Sequence, residues 1–274
     1  MIKILLKNGG TLDMESNYET FKKDVYGLTK IDLNAYKEKQ MRRRIDSLIA
    51  RHKIADYDKF VAEMKKDDNL LKEFVNFLTI NVSEFYRNPD QWELLDKEII
   101  PKLLQRFGKN IKIWSAACST GDEPYSLVMA FSRHIPLSQI KVVATDIDKG
   151  AIEKAKAGLY GAKSIAGVPD DLKKKYFTEI AGSYQIADEI KRCVEFKERN
   201  LLKDDYEKDC NLILCRNVVI YFTEETKDAI YRKFNTSLKD GGFLFIGSTE
   251  QIMNYKDLGY TRFKSFFFQK GDRE

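Results

Sequence analysis

Apolar residues recur at steps of three and four from residue 18 to about residue 78, as in Met41, Ile45, Leu48 and Ile49 and again in Tyr57, Phe60, Val61 and Met64. That spacing puts them on one face of an α-helix. Asp68-Asn69 marks a break, after which Leu70, Leu71, Phe74, Val75, Phe77 and Leu78 resume the helical period. The region predicts a small bundle without strands. Asn88-Pro89-Asp90-Gln91 opens another helix. Asparagine suits the N-cap, proline the first turn, and Gln91 can complete a capping box. This helix carries Trp92, Leu95, Ile99 and Leu103, with Pro101 near its end.

Beyond it the pattern alternates. Strands are predicted at 111–116, 141–145, 212–215, 243–247 and 263–269, and helices at 124–131, 150–157 and 224–238. Asp240-Gly241-Gly242 reads as the turn into the fourth of these strands. Strands alternating with helices predict an α/β fold with a parallel, doubly wound sheet. Residues 162–200 interrupt the alternation. Tyr176-Phe177-Thr178-Glu179-Ile180, Tyr184-Gln185-Ile186-Ala187 and Cys193-Val194-Glu195-Phe196 read as short antiparallel strands, with a tight turn at Ala181-Gly182-Ser183. The expected division is a helical domain with its linker at 14–87 and a sheet domain at 88–274, holding a small inserted antiparallel β subdomain.

The 274 residues suffice for a large domain with a smaller companion. Hydrophobic residues at 43% and charged residues at 32% place the chain in the ordinary globular class. No apolar run approaches the roughly 18 residues of a membrane span, and the apolar part of the start is too short for a signal peptide. Met14 is a candidate second start, which makes residues 1–13 an extension of little functional weight. Cys118, Cys193, Cys210 and Cys215 form no C-x-x-C pair and the histidines are His52 and His134, so metal-ligand spacing is absent. Scattered, unpaired cysteines fit a reducing compartment, with the cytoplasm as the default. A net charge of +5 permits an acidic partner but falls short of the bias expected for a nucleic-acid binder.

Candidate chemistry lies at the predicted strand ends, where doubly wound sheets bind ligands. The turn Ala116-Ala117-Cys118-Ser119-Thr120-Gly121 is made of small residues but is not G-x-G-x-x-G, so a dinucleotide pyrophosphate fits poorly. Asp122 and Glu123 put acids at the next helix start, which suits a cationic amino-acid ligand or, alternatively, simply stabilises the helix dipole. Asp146 ends the second strand, 25 residues after Gly121, where an acid can accept both ribose hydroxyls. Asp148 reads as a helix N-cap. Asn200-Leu201-Leu202 precedes a fresh strand. In Leu212 and its successors, Cys215 reads as core, while Arg216, Asn217 and Tyr221 interrupt an apolar run, which is costly unless they are paired. They serve either a site or a structural hydrogen-bond network.

These strings, in this order, resemble the CheR-type chemotaxis receptor methyltransferases. The matching segments are Asn81-Val82-Ser83-Glu84-Phe85-Tyr86-Arg87, Trp114 through Ser126, Ala144-Thr145-Asp146-Ile147-Asp148, Asn200-Leu201-Leu202 and Cys215 through Phe222. The resemblance implies an S-adenosylmethionine-dependent methyltransferase (Rossmann-like) sheet domain, an N-terminal helical domain and an inserted antiparallel subdomain. It implies cofactor contacts from Asn81, Ser83, Arg87, Glu123, Asp146, Asn200, Leu201, Asn217 and Val218, with Arg87 and Tyr221 nearest the methyl transfer. It also implies a glutamate acceptor on the cytoplasmic helical bundle of a receptor, and methyl ester and S-adenosylhomocysteine as products. Two departures stand out. Gly-Asp-Glu-Pro at 121–124 replaces the more usual Gly-Glu-Glu-Pro, and the turn at 181–183 is short, which argues against gripping a receptor tether peptide. Lys37, Arg44 and Arg51, spaced by seven, form one stripe on the helix of residues 36–53, which holds seven basic residues and two acids. That stripe is a candidate dock for a glutamate-rich helix, or else a solvated helix face. The competing functions are a methyltransferase of the same fold acting on another protein or a small carboxylic acid, and a non-catalytic S-adenosylmethionine sensor. A base-directed enzyme is disfavoured because no N-P-P-Y or D-P-P-Y string occurs.

Overall fold

The computed structural model describes residues 10–271, with side chains from residue 17. Most of the extension expected at 1–13 therefore lies outside the described residues. The chain divides into two compact units, the first ending at Ile80 and also taking in Tyr221–Thr223, the second comprising Asn81–Ile220 and the residues from Glu224 onward.

The first unit is helical, with α1 (Gly10–Thr29), α2 (Glu38–Arg51), α3 (Tyr57–Met64) and α4 (Asp68–Thr79). Asp56 and Asp67 cap α3 and α4 by accepting from the backbone N–H groups of Lys59 and Asn69. The apolar faces bury Phe21, Ile45, Leu48, Phe60 and Phe74. The end of α4 has no glycine: Ile80 takes the left-handed conformation at φ 48°. The carbonyl of Phe77, one of the last-turn acceptors without a helical partner, is instead taken by Arg44 Nη2 at 2.6 Å. The strap Tyr221–Thr223 joins this unit through Lys37 N to Tyr221 O and Thr223 N to Ala35 O, both 2.9 Å, with Phe222 packed edge-on to Tyr36.

The second unit opens with α5 (Pro89–Leu94), a π-turn at Leu95–Ile99, and α6 (Ile100–Phe107). The N–H of Ile100 reaches back to the carbonyl of Leu95, so the rod continues past Pro101, whose missing N–H would break an ordinary α ladder. There follow β1 (Lys112–Ser115), α7 (Asp122–Phe131), β2 (Lys141–Asp146), α8 (Lys149–Ala157), β3 (Leu159–Gly161), α9 (Asp170–Tyr176), β4 (Phe177–Ile180), β5 (Ser183–Ile186), α10 (Asp188–Lys191), β6 (Val194–Glu198), β7 (Cys210–Cys215), α11 (Glu224–Ser237), β8 (Leu238–Ile246), β9 (Tyr260–Lys264) and β10 (Phe267–Lys270). Among the described residues the large sheet runs β6-β2-β1-β7-β8-β10-β9, and a small antiparallel sheet runs β3-β5-β4. Strands β6, β2, β1, β7 and β8 are parallel. Every residue of β7 is buried, as expected for a strand covered on both faces. The order reverses between β1 and β7, which makes that crevice the switch point where ligands bind.

Four details depart from the sequence pattern. Residues 194–198 belong to the large sheet, parallel to β2, and not to the inserted subdomain, which instead begins with β3. Alternation shows that a segment is a strand, not which sheet receives it. The single strand expected at 263–269 is a hairpin of β9 and β10, its turn masked by the run Phe266-Phe267-Phe268. The turn expected at 240–242 is a kink inside β8, beside the register shift of β7, with Gly241 at φ 80°. The unit boundary falls between Ile80 and Asn81 rather than after Arg87.

Candidate functional site at the strand ends

The carboxyl ends of four neighbouring strands bring the expected residues to one edge of the sheet. β1 leads into the small-residue turn, β2 ends at Asp146, β6 leads through Arg199 to Asn200 and Leu201, and β7 leads into Arg216, Asn217 and Val218. The turn is fixed by backbone contacts. Cys118 N donates to Thr145 O at 3.0 Å and Ser119 N donates to Asp146 Oδ2 at 2.8 Å, with Ser119 itself left-handed at φ 47°. Asp146 Oδ1 accepts from Asp148 N at 2.9 Å. Burial pushes the Asp146 carboxyl up to about 6, against the pull of these N–H donors. The Ile147 N–H adds to that pull. Asp148 caps α8 through Ala151 N, as its position predicts.

Asn81 ties the linker to this turn: its Nδ2 donates to Asp148 Oδ2 at 2.6 Å and its Oδ1 accepts from Ser119 Oγ at 3.1 Å. Ser83 lies half-buried in the same segment. Asp122 is buried at the start of α7, accepting from Thr120 Oγ1 at 2.6 Å and from Ser164 Oγ. It acts here as a structural acceptor that binds the loop before α9 to the turn.

Glu123 is held differently. Its Oε1 accepts from Ser115 Oγ at 2.9 Å and its Oε2 faces Arg216 Nη1 at 3.5 Å. Burial raises the Glu123 carboxyl and lowers the Arg216 guanidinium, and each charge opposes the shift of the other. Arg216 Nη2 donates to Arg87 O and Gln91 Oε1, both at 2.8 Å, and to Asn88 Oδ1 at 3.3 Å. Its plane lies 4.5 Å from the Phe245 ring centre. The capping box expected at 88–91 is thus not made: Asn88 is left-handed at φ 63° without a side-chain cap bond, because the buried guanidinium takes both amide oxygens. Arg87 is half-exposed, its Nη1 donating to Val82 O at 3.1 Å. Asn200 forms a side-chain turn with Leu202 N at 2.9 Å, and Leu201 is buried.

Two residues of this arrangement were not among the expected cofactor contacts. Arg216 carried a signal, a charge within an apolar run. Glu250 carried none; it sits in the turn after β8 and accepts from the N–H groups of Val218 and Val219. Tyr221, expected at the same centre, lies in the strap of the helical unit. Of the basic stripe, Lys37 is exposed, Arg44 is half-buried against Phe77 and Arg51 pairs with Glu73 at 3.4 Å.

The family description "CheR methyltransferase, all-alpha domain" matches residues 16–79, and "CheR methyltransferase, SAM binding domain" matches residues 81–265. The chain belongs to the CheR methyltransferase family. The boundary between the two CheR matches coincides with the boundary between the two units. A chemotaxis protein methyltransferase of Listeria innocua serovar 6a is 41% identical over 258 residues, 94% of this chain and 98% of the relative. One from Borreliella burgdorferi is 31% identical over 251 residues, covering 87% and 89%. Chemotaxis protein methyltransferase 2 of Vibrio cholerae is 36% identical over 200 residues, covering 70% and 69%. As a CheR-family methyltransferase the chain uses S-adenosylmethionine. The strand-end donor set is compatible with that group: the buried acid Asp146 at the end of β2, the acid Glu123 at the start of α7, and a turn of small residues that leaves room for close backbone approach.

Proposed function

We propose that this protein methylates glutamate side chains on the cytoplasmic helical bundle of chemotaxis receptors, working in the cytoplasm as part of adaptation. The observation that carries the reading is the convergence of Glu123, Asp146, Asn200, Leu201, Asn217 and Val218 on adjacent strand ends, in a chain 41% identical to a chemotaxis protein methyltransferase over 98% of that relative. Asn81, Ser83 and Arg87 complete the cofactor-binding set from the linker. When bound, S-adenosylmethionine supplies an electrophilic methyl group on a sulfonium.

A glutamate acceptor is already ionised at neutral pH, with a reference pKa of about 4.3. The protein therefore needs no general base. Its work is orientation and exclusion of water. Arg87 orients a carboxylate, that of the acceptor or of the cofactor, and Tyr221 holds the acceptor through its hydroxyl. The rate should then be flat between about pH 6.5 and 9, and a steep rise there would count against the scheme. Lys37, Arg44 and Arg51 steer an acidic helix toward α2.

The deciding experiment is transfer of radiolabelled methyl to a purified receptor cytoplasmic fragment, followed by mild alkali. Label released from the receptor as methanol identifies a carboxyl methyl ester. Cofactor binding without labelling moves the assignment to another acceptor or to a sensor.

A further inference from the structure

We propose that Glu250 is a positioning residue for the cofactor, acting through the loop that follows β7. Glu250 is 4% exposed. Its Oε1 accepts from Val218 N at 3.0 Å and Val219 N at 3.1 Å, and its Oε2 accepts from Gly247 N at 2.5 Å. One carboxylate thus joins the ends of two neighbouring parallel strands, β7 and β8. The left-handed backbone of Asn217, φ 61°, turns the next two N–H groups toward a common point, the geometry of an anion nest. Here the anion is the protein's own side chain. The turn that carries it closes on itself, with Glu250 N donating to Gly247 O at 3.1 Å.

Gly247 is required by the same arrangement. A Cβ there would come within 2.8 Å of Asn217 N and of Glu250 Oε2, and within 2.9 Å of Asn217 Nδ2. The glycine lets the Asn217 amide, its backbone and the carboxylate meet at one place. A carboxylate accepts at both oxygens and offers no donor. Glutamine has the same shape but must turn an N–H₂ toward at least one of the backbone N–H groups of Asn217, Val218, Val219 and Gly247, and so pushes the loop away.

This inference rests on the reading that Asn217 and Val218 hold the cofactor, so that reading is tested beside it. S-adenosylmethionine and S-adenosylhomocysteine binding are measured by calorimetry for Glu250→Gln, Gly247→Ala and Asn217→Ala, with folding checked by circular dichroism. Glu250→Gln and Gly247→Ala should each lose about tenfold or more in affinity for both molecules, the scale of a hydrogen bond to a charged group. The receptor-fragment KM at saturating cofactor should not change. A variant that merely loosened the fold would move both constants. Wild-type affinity in Glu250→Gln and Gly247→Ala, with weakened binding in Asn217→Ala, overturns the inference alone. Wild-type affinity in Asn217→Ala overturns the reading beneath it. Should Glu250→Gln not fold, amide exchange in the unaltered protein decides: Val218, Val219 and Gly247 should be protected before any cofactor is added, and free exchange there overturns the proposal.

Discussion

The polar residues of the sheet unit and those of helix α2 are held in opposite ways. At the strand ends, charges are buried and each is met by at least one partner far away in sequence: Arg216 by Glu123, Arg87, Asn88 and Gln91, and Glu250 by the backbone of Val218 as well as that of nearby Gly247. Lys37, at the N-cap of α2, and Arg51, in its last turn, are exposed, and Arg51 finds its partner in an ordinary surface ion pair with Glu73. Burial makes the first group stiff and expensive to disturb. Exposure leaves the second group hydrated, mobile and worth little to stability. A binding site for a small cofactor needs the first kind of construction. A surface that steers a large charged partner needs only the second.

The largest effect should come from breaking the buried group. Arg216→Met removes one guanidinium and strands the Glu123 carboxylate, the Gln91 amide oxygen and the Arg87 carbonyl without their shared donor. Leaving half of a buried ion pair costs about 3–5 kcal/mol. Urea unfolding should show a loss of that size, and a loss below about 1 kcal/mol would mean that the pair is not buried as described. Arg216→Lys should recover only part of it, because an ammonium cannot reach several acceptors with a planar fork.

This contrast also explains what was legible in the sequence. The small-residue turn, Asp146 and the Asp148 cap were readable because each depends on local chain geometry: a strand, a tight turn, a helix start. The helical bundle was readable because its apolar period is unbroken. Arg216 was visible as a charge in an apolar run, but its partners lie more than ninety positions away in sequence for Glu123 and further for Gln91, and no local pattern encodes them. Glu250 sits in a polar turn whose composition is ordinary; its role exists only because β8 lies beside β7. The placement of residues 194–198 in the large sheet failed to show for the same reason: register and neighbour are tertiary facts.

Asp146 sharpens the comparison through pH. Burial raises its folded carboxyl pKa to about 6, above the ordinary carboxylate range. The folded protein therefore keeps a proton that the unfolded chain releases, and this group's contribution to stability is present at low pH and is lost as pH rises through about 6. Cofactor affinity should run the other way. The ionised carboxylate is the better acceptor for ribose hydroxyls, so binding should weaken as pH falls below about 6, by up to about tenfold per unit. Calorimetry at about pH 7.5 and about pH 5 measures it. Asp146→Asn should bind about tenfold more weakly at the higher pH and should lack the step between the two. A step of equal size in that variant would assign the titration elsewhere.

The smallest effect should come from α2, and it separates the members of the basic stripe. Arg44 donates to the Phe77 carbonyl at 2.6 Å and stacks on the Phe77 ring at 4.7 Å, so it closes the end of α4. Arg44→Glu would mix loss of a helix terminus with loss of charge and is a poor test of docking. Lys37 and Arg51 are exposed, so reversing them should leave the unfolding free energy within about 0.5 kcal/mol of the starting protein. If the stripe steers an acidic receptor helix, Lys37→Glu with Arg51→Glu should raise the receptor KM about three- to tenfold at low salt. The difference should shrink toward nothing at roughly 0.3 M salt, where screening acts within several ångströms. Cofactor affinity should stay as it was, since the strand-end residues are untouched. An unchanged KM at low salt would mean that the stripe is a solvated helix face and that the receptor is recognised through other residues. A KM that rises equally at low and high salt would mean that these side chains make short-range contacts with the receptor rather than steering it from a distance.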